Sequence, residues 1–331
     1  MTVSQYKRKK NIQILKTLYV TVVLFALLTV ATYTWFDLTF VPSVNDMSIY
    51  INSSPGLLLS FDNTDNEDDW STRIDFREKM PKETKPLIPI TYSKTDNSFL
   101  TAGYAADGRI IDVNQPVPNP IDEQYVSNNG YYMKISFYAK SGEDVSVYLS
   151  DAVEVEEGKI GAGTWLVGAP VWDGGSVSHT NGGGGAETAM RVGIKITRLT
   201  AGGRKGEEIF YVYEPNCDVH IDGGKSEYKE TESIHNGPLV DRDKHIKQTA
   251  STWRDADIVQ KNVIISELGE FEEEPFLFDL AADQTVKIDL FFWLEGQDED
   301  CGNLLTQKAI IMSNIQFRAE TEGGSDLRPV G

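Results

Sequence analysis

Beyond the first forty residues, apolar and polar positions alternate with a period of two. Met47, Ile49 and Ile51 alternate with Ser48, Tyr50 and Asn52, and Met190, Val192, Ile194 and Ile196 alternate with Arg191, Gly193, Lys195 and Thr197. Successive side chains of a strand point to opposite faces, so this pattern predicts strands with one face in a core and the other toward water. Residues 131–137, 145–149 and 209–213 read the same way. The longest expected strand covers 286–294, with Val286, Ile288, Leu290, Phe292 and Leu294 on one face and Lys287 and Asp289 opposite. Residues 262–266 and 309–317 bring the set to at least eight. Between these runs lie loops rich in Gly, Asp, Asn and Pro at 62–69, 116–120, 174–185 and 222–224. Such punctuation fits antiparallel strands joined by turns and longer crossings. Only residues 241–261 read as partly helical, as an insertion or a crossing connection. Strands without intervening amphipathic helices point to an all-β domain, an antiparallel β-sandwich or jelly roll, over 37–320, followed by a flexible tail over 321–331.

The N-terminus obeys another rule. Lys7, Arg8, Lys9, Lys10 and Lys16 precede an uncharged run from Thr17 to Phe36. Residues 1–16 read as a basic cytoplasmic region and 17–36 as a signal-peptide core or transmembrane helix, since basic residues stay on the cytoplasmic side while the chain beyond the apolar run is carried across. Twenty helical residues span ~30 Å, enough for a bilayer core. Thr29 and Ala31 are small enough to flank a signal-peptidase cut after Ala31. Tyr33, Trp35 and Phe36 equally suit the interfacial belt of a retained anchor, so both a released and a membrane-tethered protein stay open.

Charge agrees with an exterior location. The chain carries 31 Lys and Arg against 50 Asp and Glu; removing the five basic residues of the first 36 positions leaves the rest at −24. A domain that acidic repels phosphate backbones, which argues against nucleic acid as a partner. An oxidising exterior permits the only two cysteines, Cys217 and Cys301, to pair, the alternative being two thiols.

Motifs for catalysis are missing. His179, His220, His235 and His245 never form H-E-x-x-H, and there is no G-x-S-x-G elbow. Glu295 and Asp298 flank Gly296 and could be matched to a glycosidase pair, but so many acids make that signal empty, and a solvated loop is the plainer reading. Calcium suits the acidic loops better, with Asp62, Asp65 and Asp68 in one and Asp298 and Asp300 in another, although neither has EF-hand spacing; no other cofactor is expected. Gly182–Gly185 lacks the Lys-Ser/Thr of a phosphate loop and reads as a hairpin tip.

Ala31-Thr32-Tyr33-Thr34-Trp35-Phe36 running from an apolar core into a first strand resembles the TasA/camelysin-like exported proteins of Gram-positive bacteria. Residues 189–194 and 293–298 look like core strands of that family. The resemblance implies a jelly roll processed by a dedicated signal peptidase, and a surface or biofilm-matrix component, some members assembling into fibres. The protease activity implied by the name camelysin finds no ligand motif here.

Assembly also has a local rationale. Leu38 and Phe40 alternate with Thr39 and Val41 before Pro42 interrupts the pattern. Cleavage would free residues 32–41 to pair with the sheet edge of a neighbour, and the alternative is a linker or a strand paired at home. The expected function is therefore a non-enzymatic structural surface protein, capable of self-association. Its main rival is a membrane-tethered binding module, an adhesin or carbohydrate binder, presenting Trp165, Trp172 or Trp253. An exported two-acid hydrolase is the third class.

Overall fold

A computed structural model describes residues 16–25, 44–76, 79, 85–104, 110–118, 125–152, 162–168, 172–173, 176–177, 187–200, 204–217, 239–249, 269–271, 275–298, 301 and 309–321. The chain divides into two compact units, Met1–Val41 and Pro42–Gly331. In the first, residues 16–25 are helical; among the described residues no helix is long and apolar enough to cross a membrane. Ala31, Leu38 and Phe40 lie outside the described residues.

The second unit is all-β. Its strands begin with β1 (Val44–Ser53), β2 (Leu58–Ser60), β3 (Arg73–Ile74), β4 (Ile90–Ser93), β5 (Ser98–Tyr104) and β6 (Ile110–Pro116). The next are β7 (Val126–Asn128), β8 (Tyr132–Lys140), β9 (Val145–Leu149), β10 (Trp165–Gly168), β11 (Trp172–Asp173) and β12 (Ser176–Val177). The last are β13 (Met190–Thr200), β14 (Arg204–Glu214), β15 (His245–Lys247), β16 (Phe276–Leu280), β17 (Thr285–Leu294) and β18 (Ala309–Thr321). The 13 residues of β18 exceed the 10 of β17, which the sequence pattern makes the longest. The expected strand at 262–266 lies outside the described residues. Within 241–261 the described part, 241–249, holds a 3-10 turn, Arg242–Lys244, and then β15; residues 250–261 of the expected partly helical stretch lie outside the described residues.

A seven-stranded sheet runs β15-β14-β13-β17-β8-β2 with β7 also on β8, and a six-stranded sheet runs β16-β9-β18-β1-β3 with β10 also on β18. A three-stranded sheet, β4-β5-β6, and the pair β11-β12 complete the set. Not every pairing is antiparallel, as the sequence reading expects: β1 lies parallel to β18 and β14 parallel to β15. A period of two is common to both arrangements, so alternation alone cannot distinguish them.

Both larger sheets feed one hydrophobic cluster. Ile51 of β1, Val147 of β9 and Ile315 of β18 meet Ile135 of β8, Ile194 of β13 and Leu290 of β17, all at 0% exposure. Phe137 of β8 and Phe317 of β18 meet edge-on with ring centroids 6.0 Å apart. Each such side chain contributes ~1.5–3 kcal/mol by leaving water.

The opposite face of the seven-stranded sheet is not simply solvated. A second cluster joins Ile90, Tyr92 and Phe99 from β4 and β5 to Tyr132, Val212 and Trp293 of the large sheet. Tyr92 stacks on Phe210 at 4.3 Å, and Phe99 meets Trp293 edge-on at 5.2 Å. Gly193 makes this approach feasible, because a Cβ there would stand 2.6 Å from Phe210 Cζ and 3.2 Å from Trp293 Cζ3.

Candidate functional site

The most concentrated chemistry among the described residues sits at the end of the seven-stranded sheet, on the face covered by this second cluster. Register creates it. Arg191 of β13 stands opposite Trp293 of β17, and Val192 opposite Tyr213 of β14, so Glu214 comes level with Arg191. The alternation that sends Met190 and Val192 into the main core sends Arg191 the other way, yet Arg191 is only 2% exposed.

Every strong contact of its guanidinium is internal. Nη1 donates to the carbonyls of Thr188 and Met190, each at 2.9 Å. Nη2 donates to Glu214 Oε1 at 3.0 Å and to Asp298 Oδ2 at 2.6 Å. The second oxygen of Glu214 lies 2.7 Å from His245 Nε2, which ties in the edge strand β15. Burial pushes the Arg191 pKa down, but the fields of Glu214, Asp298 and Glu295 outweigh it, so the net shift is upward and the cation is held firmly.

Glu295, 3% exposed, accepts from Trp293 Nε1 at 2.9 Å and from the Gln297 backbone N–H at 3.0 Å. Desolvation raises its pKa, against the opposing pull of those donors, of Thr91 and of Arg191. Glu187 is also buried, its carboxylate set against Gly168 of β10, where a Cβ would come within 2.1 Å of Oε2. A neutral spine continues inward: Tyr213 donates to Gln248 Oε1 at 2.5 Å, and Gln248 Nε2 to the Thr164 carbonyl at 2.8 Å.

Three carboxyls, those of Glu214, Glu295 and Asp298, thus share a buried corner with one guanidinium and one imidazole. Isolated buried charge is costly, so each acid there needs a donor, and the donors come from separate segments of chain. Such an arrangement braces: it fixes the end of β13, the end of β14, β15 and the turn after β17 to one another.

The expected site residues are distributed differently. Glu295 and Asp298, assigned from sequence to a solvated loop, are both buried, and Asp298 accepts from the Arg191 guanidinium. Asp62 accepts from the Tyr125 hydroxyl. Asp65 and Asp68 are exposed beside Glu67, which pairs with Lys140 at 2.7 Å, and Asp300 lies outside the described residues. Among the described residues no group of three or more His, Cys, Asp or Glu is placed to hold a metal ion. Cys217 and Cys301 are half-buried thiols. Trp165, proposed as a binding platform, is 0% exposed in the core. Asp241 pairs with Lys94 at 2.9 Å.

Comparison with the profiles of known families, with functionally characterised proteins and with solved structures returned no match to this chain.

Proposed function

We propose that this chain is an exported, non-enzymatic structural protein of the cell surface, a matrix or fibre subunit. In this reading its β unit is a jelly-roll-like sandwich, and subunits join by N-terminal strand addition. One observation carries it: along β1 only Ile51 and Asn52 pair with β3, while the opposite side of the strand pairs with β18 over nearly its whole length. Among the described residues, the stretch of β1 before Ile51 therefore has one free edge, lined by unpaired backbone donors and acceptors. Such an edge is a template for an incoming strand. The alternating segment carrying Leu38 and Phe40 immediately precedes β1, so each copy would carry a donor next to an acceptor, and a head-to-tail contact of that kind propagates without closing.

Export is supported by the basic cluster Lys7–Lys10 ahead of the apolar run, and by a net charge of −24 beyond it. The lack of catalysis is supported by the burial of Arg191, Glu214, Glu295 and Asp298, which pair with one another and with the backbone.

The test is N-terminal sequencing and negative-stain microscopy of the protein recovered from the native exterior, alongside a variant lacking residues 32–41 behind an intact signal. A cut near Ala31, filaments in the natural chain and none in the deletion are expected. Unaltered filaments in the deletion would overturn strand addition. An uncut monomer in the membrane fraction would overturn the fibre reading in favour of a tethered binding module.

A further inference from the structure

A second group of side chains, beside the brace, is arranged for a reaction of the chain with itself. Thr91 belongs to β4 and Gln297 to the turn after β17, and the backbone holds the two segments together. Ile90 and Glu295 form a parallel bridge, and the Gly296 N–H donates to the Ile90 carbonyl at 2.8 Å. Across this junction Gln297 Nε2 stands 2.6 Å from Thr91 Oγ1. An amide C–N bond is ~1.33 Å. The amide carbon therefore lies at most ~3.9 Å from the hydroxyl oxygen, near the ~3–3.5 Å of an attack geometry. Glu295 Oε1 in turn accepts from the Gln297 backbone N–H at 3.0 Å, and the neighbouring Thr91 hydroxyl helps to lower the Glu295 pKa against desolvation. Thr91 is 7% and Glu295 3% exposed, while Gln297 is half-buried, so a nucleophile, a proton acceptor and an acyl carbon adjoin one another at the edge of the core.

We propose that Thr91 and Gln297 form an intramolecular ester, with Glu295 carrying the proton. Thr91 Oγ attacks Cδ of Gln297 while the Glu295 carboxylate takes the hydroxyl proton. The tetrahedral adduct then collapses, the Cδ–Nε2 bond breaks, and Glu295 returns the proton to the nitrogen, which leaves as ammonia. One C–O bond replaces one C–N bond, Glu295 ends as it began, and no oxidant, metal or activated donor takes part. Ammonia is protonated and diluted in neutral water, which draws the exchange forward, and the burial of Thr91 and Glu295 restricts the approach of water to the product from their side. Desolvation makes Glu295 a better base than an exposed carboxylate, while the Trp293 indole and the Gln297 N–H fix its orientation. The bond would fasten β4, and with it the three-stranded sheet, covalently to the end of β17.

The full chain, held folded at neutral pH and then denatured, is subjected to tryptic mapping with tandem mass spectrometry. The expected result is a pair of peptides, one carrying Thr91 and one Gln297, joined with the loss of one ammonia and separated by hydroxylamine. Thr91→Val and Gln297→Ala should yield the two peptides apart, as should the isosteric Glu295→Gln, with the fold of each checked by circular dichroism. The wild-type measurement stands without any variant: separate, unmodified Thr91 and Gln297 peptides after prolonged incubation would overturn the proposal. Ammonia loss mapping to an asparagine succinimide would count equally against it. A joined pair persisting in Glu295→Gln would overturn the role of Glu295.

Discussion

Replacing Arg191 by methionine tests the brace most directly. Methionine retains much of the buried volume, so the loss is mainly electrostatic. Arg191 is 2% exposed, and the Glu214 and Asp298 side chains are at 0%. Solvent therefore screens these pairs little, unlike surface ion pairs. Removing one partner of a buried pair costs ~3–5 kcal/mol, and here two carboxylates and two backbone carbonyls lose their donor together. For a unit of this size, each kcal/mol moves the melting temperature by ~2–4 °C, so a fall of ~6–20 °C is expected in thermal unfolding at neutral pH. Without the guanidinium, the carboxylates of Glu214 and Asp298 are buried with no cation to compensate them. That cost is greatest where both are ionised and is relieved when they take up protons in acid. The gap between Arg191→Met and wild type should accordingly narrow on acidification. Neutralising the partners too, in R191M/E214Q/D298N, should recover much of the loss, because desolvated carboxylates no longer remain. A single variant within ~1 kcal/mol of wild type, or a gap unchanged by pH, would refute the reasoning.

Packing and titration support further expectations. Gly193→Ala should destabilise by ~1–3 kcal/mol in urea unfolding, since the added methyl meets Phe210 and Trp293, and Phe210→Leu should relieve part of it. Trp165→Ala should cost ~3–5 kcal/mol, as expected of a core residue; unchanged stability would reinstate Trp165 as an exposed platform. Tyr92 is held up to about 12 by burial and then by Glu208. Its folded pKa exceeds the unfolded value of ~10, so its contribution is intact below ~10 and lost as pH rises through the folded value. Ultraviolet titration of wild type against Tyr92→Phe should show no phenolate step from this residue near pH ~10 while the protein stays folded.

The strands legible in the sequence were those with one apolar and one polar face. Residues 145–149 coincide with β9, and the alternations at 47–51, 190–196 and 286–294 lie within β1, β13 and β17. Their physical basis is the shared core, which demands an apolar residue at every second position. The covering of the opposite face was harder to see. Lys287 and Asp289 suggested water, yet Phe291 and Trp293 occupy the same face of β17, and these two aromatics were the available sign that something packs there. Of the strands that pack there, β4 has only four residues, and the order Ser98-Phe99-Leu100-Thr101-Ala102 in β5 does not alternate, so neither period stands out. The parallel pairing of β1 with β18 joins the two ends of the β unit and leaves no local trace.

The brace was hidden for a different reason. With 50 acids in the chain, composition cannot say which are buried, and Glu295 and Asp298 read as loop because they come after the last apolar position of β17. Buried acids are chosen by register, through the level at which Arg191 meets Glu214, and register is a property of the folded sheet. One turn then serves both layers: Asp298 reaches back to β13, while Glu295 bridges to Ile90 and Gln297 reaches across to Thr91, both of β4. A disturbance on either side should thus pass through residues 295–298, and the effects of Arg191 and Thr91 variants on stability should fail to add, as for any residues sharing one network.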